Sequence, residues 1–116
     1  MLEALLRHQK IVPVITLDRV EDAVPLAEAL SSGGLNVLEV TFRTDAAAGA
    51  IQSIRDQVPA VTVGAGTVLT PTVLRAAETA GATFFVSPGA TDALLSAADP
   101  SSFLPGVATL SEMMRA

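Results

Sequence analysis

Residues 38–44, Leu38-Glu39-Val40-Thr41-Phe42-Arg43-Thr44, carry a carboxylate and a guanidinium through a segment otherwise apolar enough to be a buried strand. Successive side chains on a strand point to opposite faces, so Val37, Glu39, Thr41 and Arg43 share one face while Leu38, Val40 and Phe42 share the other. A buried carboxylate is costly unless it is paired or hydrogen-bonded. Two readings follow: the polar row lines a cavity, or Glu39 is satisfied inside a core by a neighbouring Arg or a backbone amide.

Outward from this segment the same phrase recurs: a short β-rich apolar run, a small or polar turn, an Ala-rich amphipathic stretch, then Gly or Pro. This is the pattern of repeated βα units. Strands are expected near Ile11–Ile15, Asn36–Thr41, Val61–Gly64, Thr83–Val86 and Phe103–Leu104. Their starts lie about 20 to 25 residues apart, which leaves room only for direct β-loop-α-loop-β succession. Helix starts are expected at Asp18 with Glu21, at Thr44-Asp45, at Thr70-Pro71, at Thr91, and at Thr109 with Glu112, where the residues match N-caps, capping boxes or a first-position proline.

The chain has 116 residues, half of them hydrophobic and 16% charged, with a net charge of -5, and is read as a single domain over 1–116. Seven Lys and Arg spread along an acidic chain give no basic stripe, which argues against nucleic acid and anionic membranes as partners. No apolar run approaches the roughly 18 to 20 residues of a membrane span, and residues 1–10 lack the apolar core of a signal peptide, so a cytoplasmic location is expected. Zero cysteines exclude thiolate chemistry, and a single histidine, His8, read as a surface residue of a first helix, leaves no metal cluster. Four Phe without Tyr or Trp supply no aromatic platform.

Continuous apolar strands joined by helices imply a parallel sheet covered on both faces. A five-stranded flavodoxin-like open sheet is complete at about this length, whereas a (β/α)8 barrel takes roughly 200 residues or more. The strand ends argue against a response-regulator receiver, because Thr16-Leu17-Asp18, Gly64-Ala65-Gly66-Thr67 and Pro105-Gly106 lack its acidic pair, Asp and Lys. Gly64-Ala65-Gly66 also lacks the third glycine of a dinucleotide fingerprint.

The ordered strand ends Val12-Pro13-Val14-Ile15, Leu38 to Thr44, Val63-Gly64-Ala65-Gly66-Thr67-Val68, Val86-Ser87-Pro88-Gly89 and Leu104-Pro105-Gly106 resemble the 2-keto-3-deoxy-6-phosphogluconate (KDPG) and 4-hydroxy-2-oxoglutarate (KHG) aldolase family across nearly the whole chain. The resemblance implies a (β/α)8 TIM barrel, present here as about five βα units, and a class I aldolase without metal or other cofactor, commonly a homotrimer. Such an enzyme splits KDPG into pyruvate and glyceraldehyde 3-phosphate, with 4-hydroxy-2-oxoglutarate, giving pyruvate and glyoxylate, as a second substrate of the family. It further implies that Glu39 is the general acid/base, that Arg43 and Thr67 bind the pyruvate moiety, and that Pro88 walls the same pocket.

The residue types suit that chemistry. A carboxylate in a partly desolvated barrel mouth gains proton affinity and can shuttle protons, a planar guanidinium matches a carboxylate, and glycines at 64 and 66 let backbone approach a small ligand closely. For those glycines a tight strand-to-helix turn without a ligand is the alternative, and for Arg43 a loop salt bridge.

One departure is large. The family's Schiff-base lysine belongs to a sixth strand that this sequence does not reach, and Lys10, the single lysine, precedes the first strand and is expected at the opposite end of the barrel. The phosphate-binding loops after strands seven and eight are likewise absent. Open edges on the first and fifth strands lead to the expectation of a longer chain, a complementing carboxy-terminal segment or copy, or re-closure as an open sheet. The competing functional reading is a non-catalytic half-barrel module, truncated or engineered.

Overall fold

A computed structural model describes residues 2–116; Met1 lies outside the described residues. The elements are α1 (Leu2–His8), β1 (Val14–Ile15), α2 (Ala23–Ser32), β2 (Val37–Thr41), α3 (Ala47–Gln57), β3 (Thr62–Gly66), α4 (Pro71–Ala80), β4 (Phe85–Ser87), α5 (Asp92–Ala97), β5 (Phe103–Pro105) and α6 (Leu110–Arg115). All neighbouring strands are parallel and lie in the order β1-β2-β3-β4-β5.

That order decides between the two architectures. A flavodoxin-like sheet has the order 2-1-3-4-5, with helices on both faces. Here each strand pairs with its sequence neighbour and α2, α3, α4 and α5 pack side by side in succession, which is the winding of a barrel wall. The flavodoxin-like alternative is thereby corrected: every βα unit returns the chain with the same sense, so the sheet never doubles back past β1.

Alternation along β2 is as the sequence requires. Leu38 and Val40 face the helices with Val63, Ala65 and Phe85, in a core closed by Ile51, Ile54, Leu74 and Leu94. These four helix side chains are 2% exposed or less, and burial of each contributes about 1.5–3 kcal/mol. On the opposite face Val37 and Phe84 pack on Leu2 of α1, with Leu5, Val12 and Val86 around them. The same face ends unfinished at both sheet edges, where Val14 of β1 and Leu104 of β5 are 63% and 47% exposed.

Strand β1 is shorter than expected because Pro13 has no N–H to donate, and a side chain takes over part of the ladder. The Gln9 amide accepts from the backbone N–H groups of Asn36 (2.7 Å) and Val37 (3.0 Å) and donates to the carbonyls of Ile11 (2.6 Å) and Val37 (2.8 Å). It thus joins the start of β2 to the segment before β1.

Three helix starts are capped as expected, by Thr70, Thr91 and Thr109, whose hydroxyls accept from the N–H groups of Val73, Leu94 and Glu112. Two are corrected. Asp18 opens no helix; a 3-10 turn at Val20–Asp22 comes first and α2 follows without a side-chain cap. Helix α3 starts after Ala46, also uncapped, because the Thr44 hydroxyl donates instead to the Leu17 carbonyl, tying the loop after β2 to the loop after β1.

Candidate functional site

Glu39 lies mid-strand in β2, in register with Val14 of β1 on one side and Gly64 of β3 on the other. It faces away from the helices and is 9% exposed. No side chain hydrogen-bonds its carboxylate among the described residues, and no buried side-chain oxygen is left without a partner, so both oxygens meet solvent. Loss of hydration raises its proton affinity above that of an ordinary glutamate, and the positive charge of Arg43 opposes that rise to a smaller extent. Of the two readings of the polar row, satisfaction of Glu39 by a neighbouring Arg or a backbone amide finds no bond among the described residues.

The neighbours of Glu39 are set by what β3 lacks. A Cβ on Gly66 would fall 1.9 Å from the Glu39 Oε2 atom, and one on Gly64 would fall 2.3 Å from the Phe84 ring. Both glycines make room for protein side chains, Gly66 for Glu39 and Gly64 for Phe84. Phe84, over Gly64, forms with Val37 and Leu2 an apolar layer on the glutamate's face. Two residues further along that face, the Thr41 hydroxyl, 1% exposed, shares a 2.8 Å hydrogen bond with the hydroxyl of Thr16, just past β1.

Arg43 and Thr67 leave the carboxyl ends of the adjacent strands β2 and β3, whose exits are held together by the Phe42 N–H donating to the Gly66 carbonyl at 2.9 Å. Arg43 is exposed and forms no ion pair among the described residues, which removes the loop salt-bridge alternative. Thr67 is half-buried and holds φ at +56°, the one non-glycine residue with positive φ among those described. A β-branched side chain there is strained, and such strain collects at functional positions. Pro88, exposed, follows β4 at the same end of the sheet, and its carbonyl would sit 2.3 Å from a Cβ on Gly106 after β5. Arg43, Thr67 and Pro88 therefore follow the same end of three successive strands, the end at which barrel enzymes place their sites, while Glu39 stands mid-strand in the first of them.

Lys10 lies at the other end. It lines, with Leu2, Leu6, Arg7, Pro100, Ser101 and Leu104, a cavity of about 500 Å³ between α1 and the start of β5. Among the described residues no group of three His, Cys, Asp or Glu could hold a metal ion, and no helix is long and apolar enough to cross a membrane.

Reasoning from the sequence missed Phe84, the Thr16–Thr41 pair and the placement of Gly66 against Glu39. The signal for the first and last was an i, i+2 glycine pair on a strand flanked by β2 with its glutamate and β4 with its aromatic, but it is legible only once the register is known.

A succession of parallel βα units, with a guanidinium and a hydroxyl just past the carboxyl ends of two adjacent strands and a carboxylate mid-strand on the face away from the helices, is the architecture of a barrel-type enzyme wall. The family model of KDPG and KHG aldolase matches residues 2–116, and the chain belongs to that family. It is 49% identical to the 2-dehydro-3-deoxy-phosphogluconate aldolase of Pseudomonas aeruginosa, over 99% of this chain and 53% of the relative, and 48% identical to the KHG/KDPG aldolase of Escherichia coli, over 97% and 54%. The crystal structure of 2-keto-3-deoxy-6-phosphogluconate aldolase from Zymomonas mobilis superposes with a TM-score of 0.90 at 46% identity, over 97% of this chain and 55% of that one. KDPG aldolase from Legionella pneumophila, solved with pyruvate captured as a covalent carbinolamine, gives a TM-score of 0.83 at 47% identity, over 89% and 51%. The chain spans about half the length of the curated relatives it matches.

Proposed function

We propose that this chain carries the acid/base and keto-acid-binding half of a class I aldolase that cleaves KDPG to pyruvate and glyceraldehyde 3-phosphate, with 4-hydroxy-2-oxoglutarate as a second substrate. The observation that carries the reading is Glu39: a largely buried carboxylate, hydrogen-bonded by no protein group among the described residues, with its proton affinity raised. A carboxylate whose proton affinity is raised by lost hydration holds a proton more readily than an exposed glutamate, which suits a group that both gives and takes one.

Carbon–carbon cleavage of a 2-keto acid needs an electron sink; in a class I aldolase an amine condenses with the ketone, with loss of water, and the protonated imine draws off the electron pair of the breaking bond. Capture of pyruvate as a carbinolamine in the Legionella relative supports that route. In it Glu39 moves protons to and from the carbinolamine oxygen and the pyruvate methyl carbon. The Arg43 fork takes the substrate carboxylate, Thr67 adds a hydroxyl donor, and Pro88 walls the pocket. Lys10, at the far end of the sheet, is not the amine; the amine comes from polypeptide other than these 116 residues. A cytoplasmic, trimeric assembly belongs to the same proposal.

The test is borohydride reduction in the presence of pyruvate, read by mass. The 116-residue chain alone is expected to gain no adduct, and a catalytically competent assembly containing it is expected to gain one, with turnover falling at least about a hundredfold in Glu39→Gln. An adduct on Lys10, or an assembly that never gains one, overturns the proposal, the second in favour of a non-catalytic module.

A further inference from the structure

We propose that Gly66 is a positioning residue for the Glu39 carboxylate: the missing side chain at the end of β3 is the slot in which this carboxylate lies. The inference rests on the aldolase reading only for its consequence in catalysis.

In the β2–β3 register Glu39 pairs with Gly64 and Thr41 with Gly66, so Glu39 would contact Gly64 if it stood straight out from the sheet. It leans instead toward the carboxyl end of the strands and lies over Gly66, as strand side chains do. A Cβ at position 66 would come within 1.9 Å of Oε2, 2.6 Å of Cδ and 3.0 Å of Cγ, so it would meet the last three atoms along one side chain at once. The backbone at Gly66 is not in the left-handed region, since positive-φ glycines among the described residues are confined to Gly34 and Gly81. The constraint at 66 is therefore one of space, set by where the Glu39 side chain lies, and not of backbone conformation. Gly64 serves Phe84 in the same way, so each glycine of the Gly-Ala-Gly run has a different occupant.

Among the described residues no hydrogen bond or ion pair holds the carboxylate. With no side-chain hydrogen bond from the described residues, its position is set by where it fits, and that position between strands is what removes its water and raises its proton affinity. Arg43 is the charged side chain that acts on it, in the opposing direction. Any side chain at 66 evicts the carboxylate toward solvent and so changes both its place and its titration.

The experiment is a carbon-13 NMR titration of the Glu39 carboxyl in the 116-residue chain, with Gly66→Ala and Gly64→Ala compared. Gly66→Ala is expected to move the midpoint down toward that of an ordinary glutamate, and Gly64→Ala, which displaces Phe84 instead, to leave it in place. An unmoved midpoint in Gly66→Ala overturns the inference. Urea midpoints supply a second readout: the loss caused by Gly66→Ala is expected to fall by at least half in a Glu39→Ala background, which removes the clashing atoms, and an equal loss in both backgrounds overturns the inference. Should Gly66→Ala alone fail to fold, folding of the double variant Gly66→Ala/Glu39→Ala supports the slot and its failure counts against it. Both readouts are independent of turnover. An assembly whose turnover survives Glu39→Gln would remove the catalytic role and leave the slot standing, whereas a titration unmoved by Gly66→Ala would do the reverse.

Discussion

The Phe84 ring occupies the space where Gly64 has no side chain, across the β3–β4 junction, and seals the face that carries Glu39 against Val37 and Leu2. A methyl group at 64 would meet three ring atoms at 2.3 to 2.5 Å. Gly64→Ala is therefore expected to cost about 1–3 kcal/mol through overpacking. Equilibrium urea denaturation checks this, and Phe84→Leu in the same chain should recover part of the loss.

The Thr16–Thr41 hydroxyl pair joins β1 to β2 beside the glutamate. Thr41→Val keeps the shape and the β-branch and removes the bond, leaving the exposed Thr16 hydroxyl to water. A loss of about 0.5–1.5 kcal/mol is expected in denaturation, and a further Thr16→Val should add little. Equal and additive losses from the two substitutions would show that the bond is not formed in solution.

For Glu39 the sign of the pH dependence follows from the direction of its shift. Its folded-state pKa lies above its unfolded one, so the folded state binds the proton more tightly, and the contribution of this group to stability falls as pH rises from the unfolded value through the folded one. Glu39→Gln is expected to be more stable than the wild type above that window and to lose this component of the slope. Thermal melts at closely spaced pH values from acid to neutral check it, and a variant less stable than wild type at neutral pH would contradict it.

Thr67 combines strain with a proposed contact to substrate. Thr67→Gly relieves the left-handed backbone at φ +56° and is expected to stabilise the fold by about 1 kcal/mol. In a catalytically competent assembly the same change should weaken keto-acid binding several-fold. A gain in stability without that loss would mean the strain serves something other than ligand binding.

Arg43 is exposed and forms no ion pair among the described residues, so its replacement should leave stability within about 0.5 kcal/mol. Arg43→Lys keeps the charge and removes the planar fork, and in the competent assembly KM for the keto acid is expected to rise by about tenfold, equivalent to about 1.4 kcal/mol. Unchanged steady-state kinetics would remove Arg43 from the site.

Much of the molecule is legible from local patterns. The alternation of Leu38 and Val40 against Val37, Glu39 and Thr41 assigns faces to β2, because a strand has period two whatever surrounds it. Thr70, Thr91 and Thr109 cap helices because a hydroxyl two or three residues from an orphan N–H needs no tertiary partner. Asp18 and Thr44 show where that logic stops: Thr44 has a better acceptor in Leu17, 27 residues away in sequence and adjacent only in the folded chain. Gln9 likewise bonds backbone at Asn36 and Val37, which no local pattern announces.

The sequence by itself determined that the chain forms parallel βα units, that Glu39 lies on the opposite face of β2 from Leu38 and Val40, and that Arg43, Thr67 and Pro88 follow strand ends, since each depends on spacing along one segment. Only the tertiary structure decided that the strands run β1 to β5 in simple order and that Gly64 and Gly66 are spaces for Phe84 and Glu39. The physical reason is that a glycine carries no information about which neighbour fills its place: that depends on the register between strands, a property of pairs of segments and not of either one.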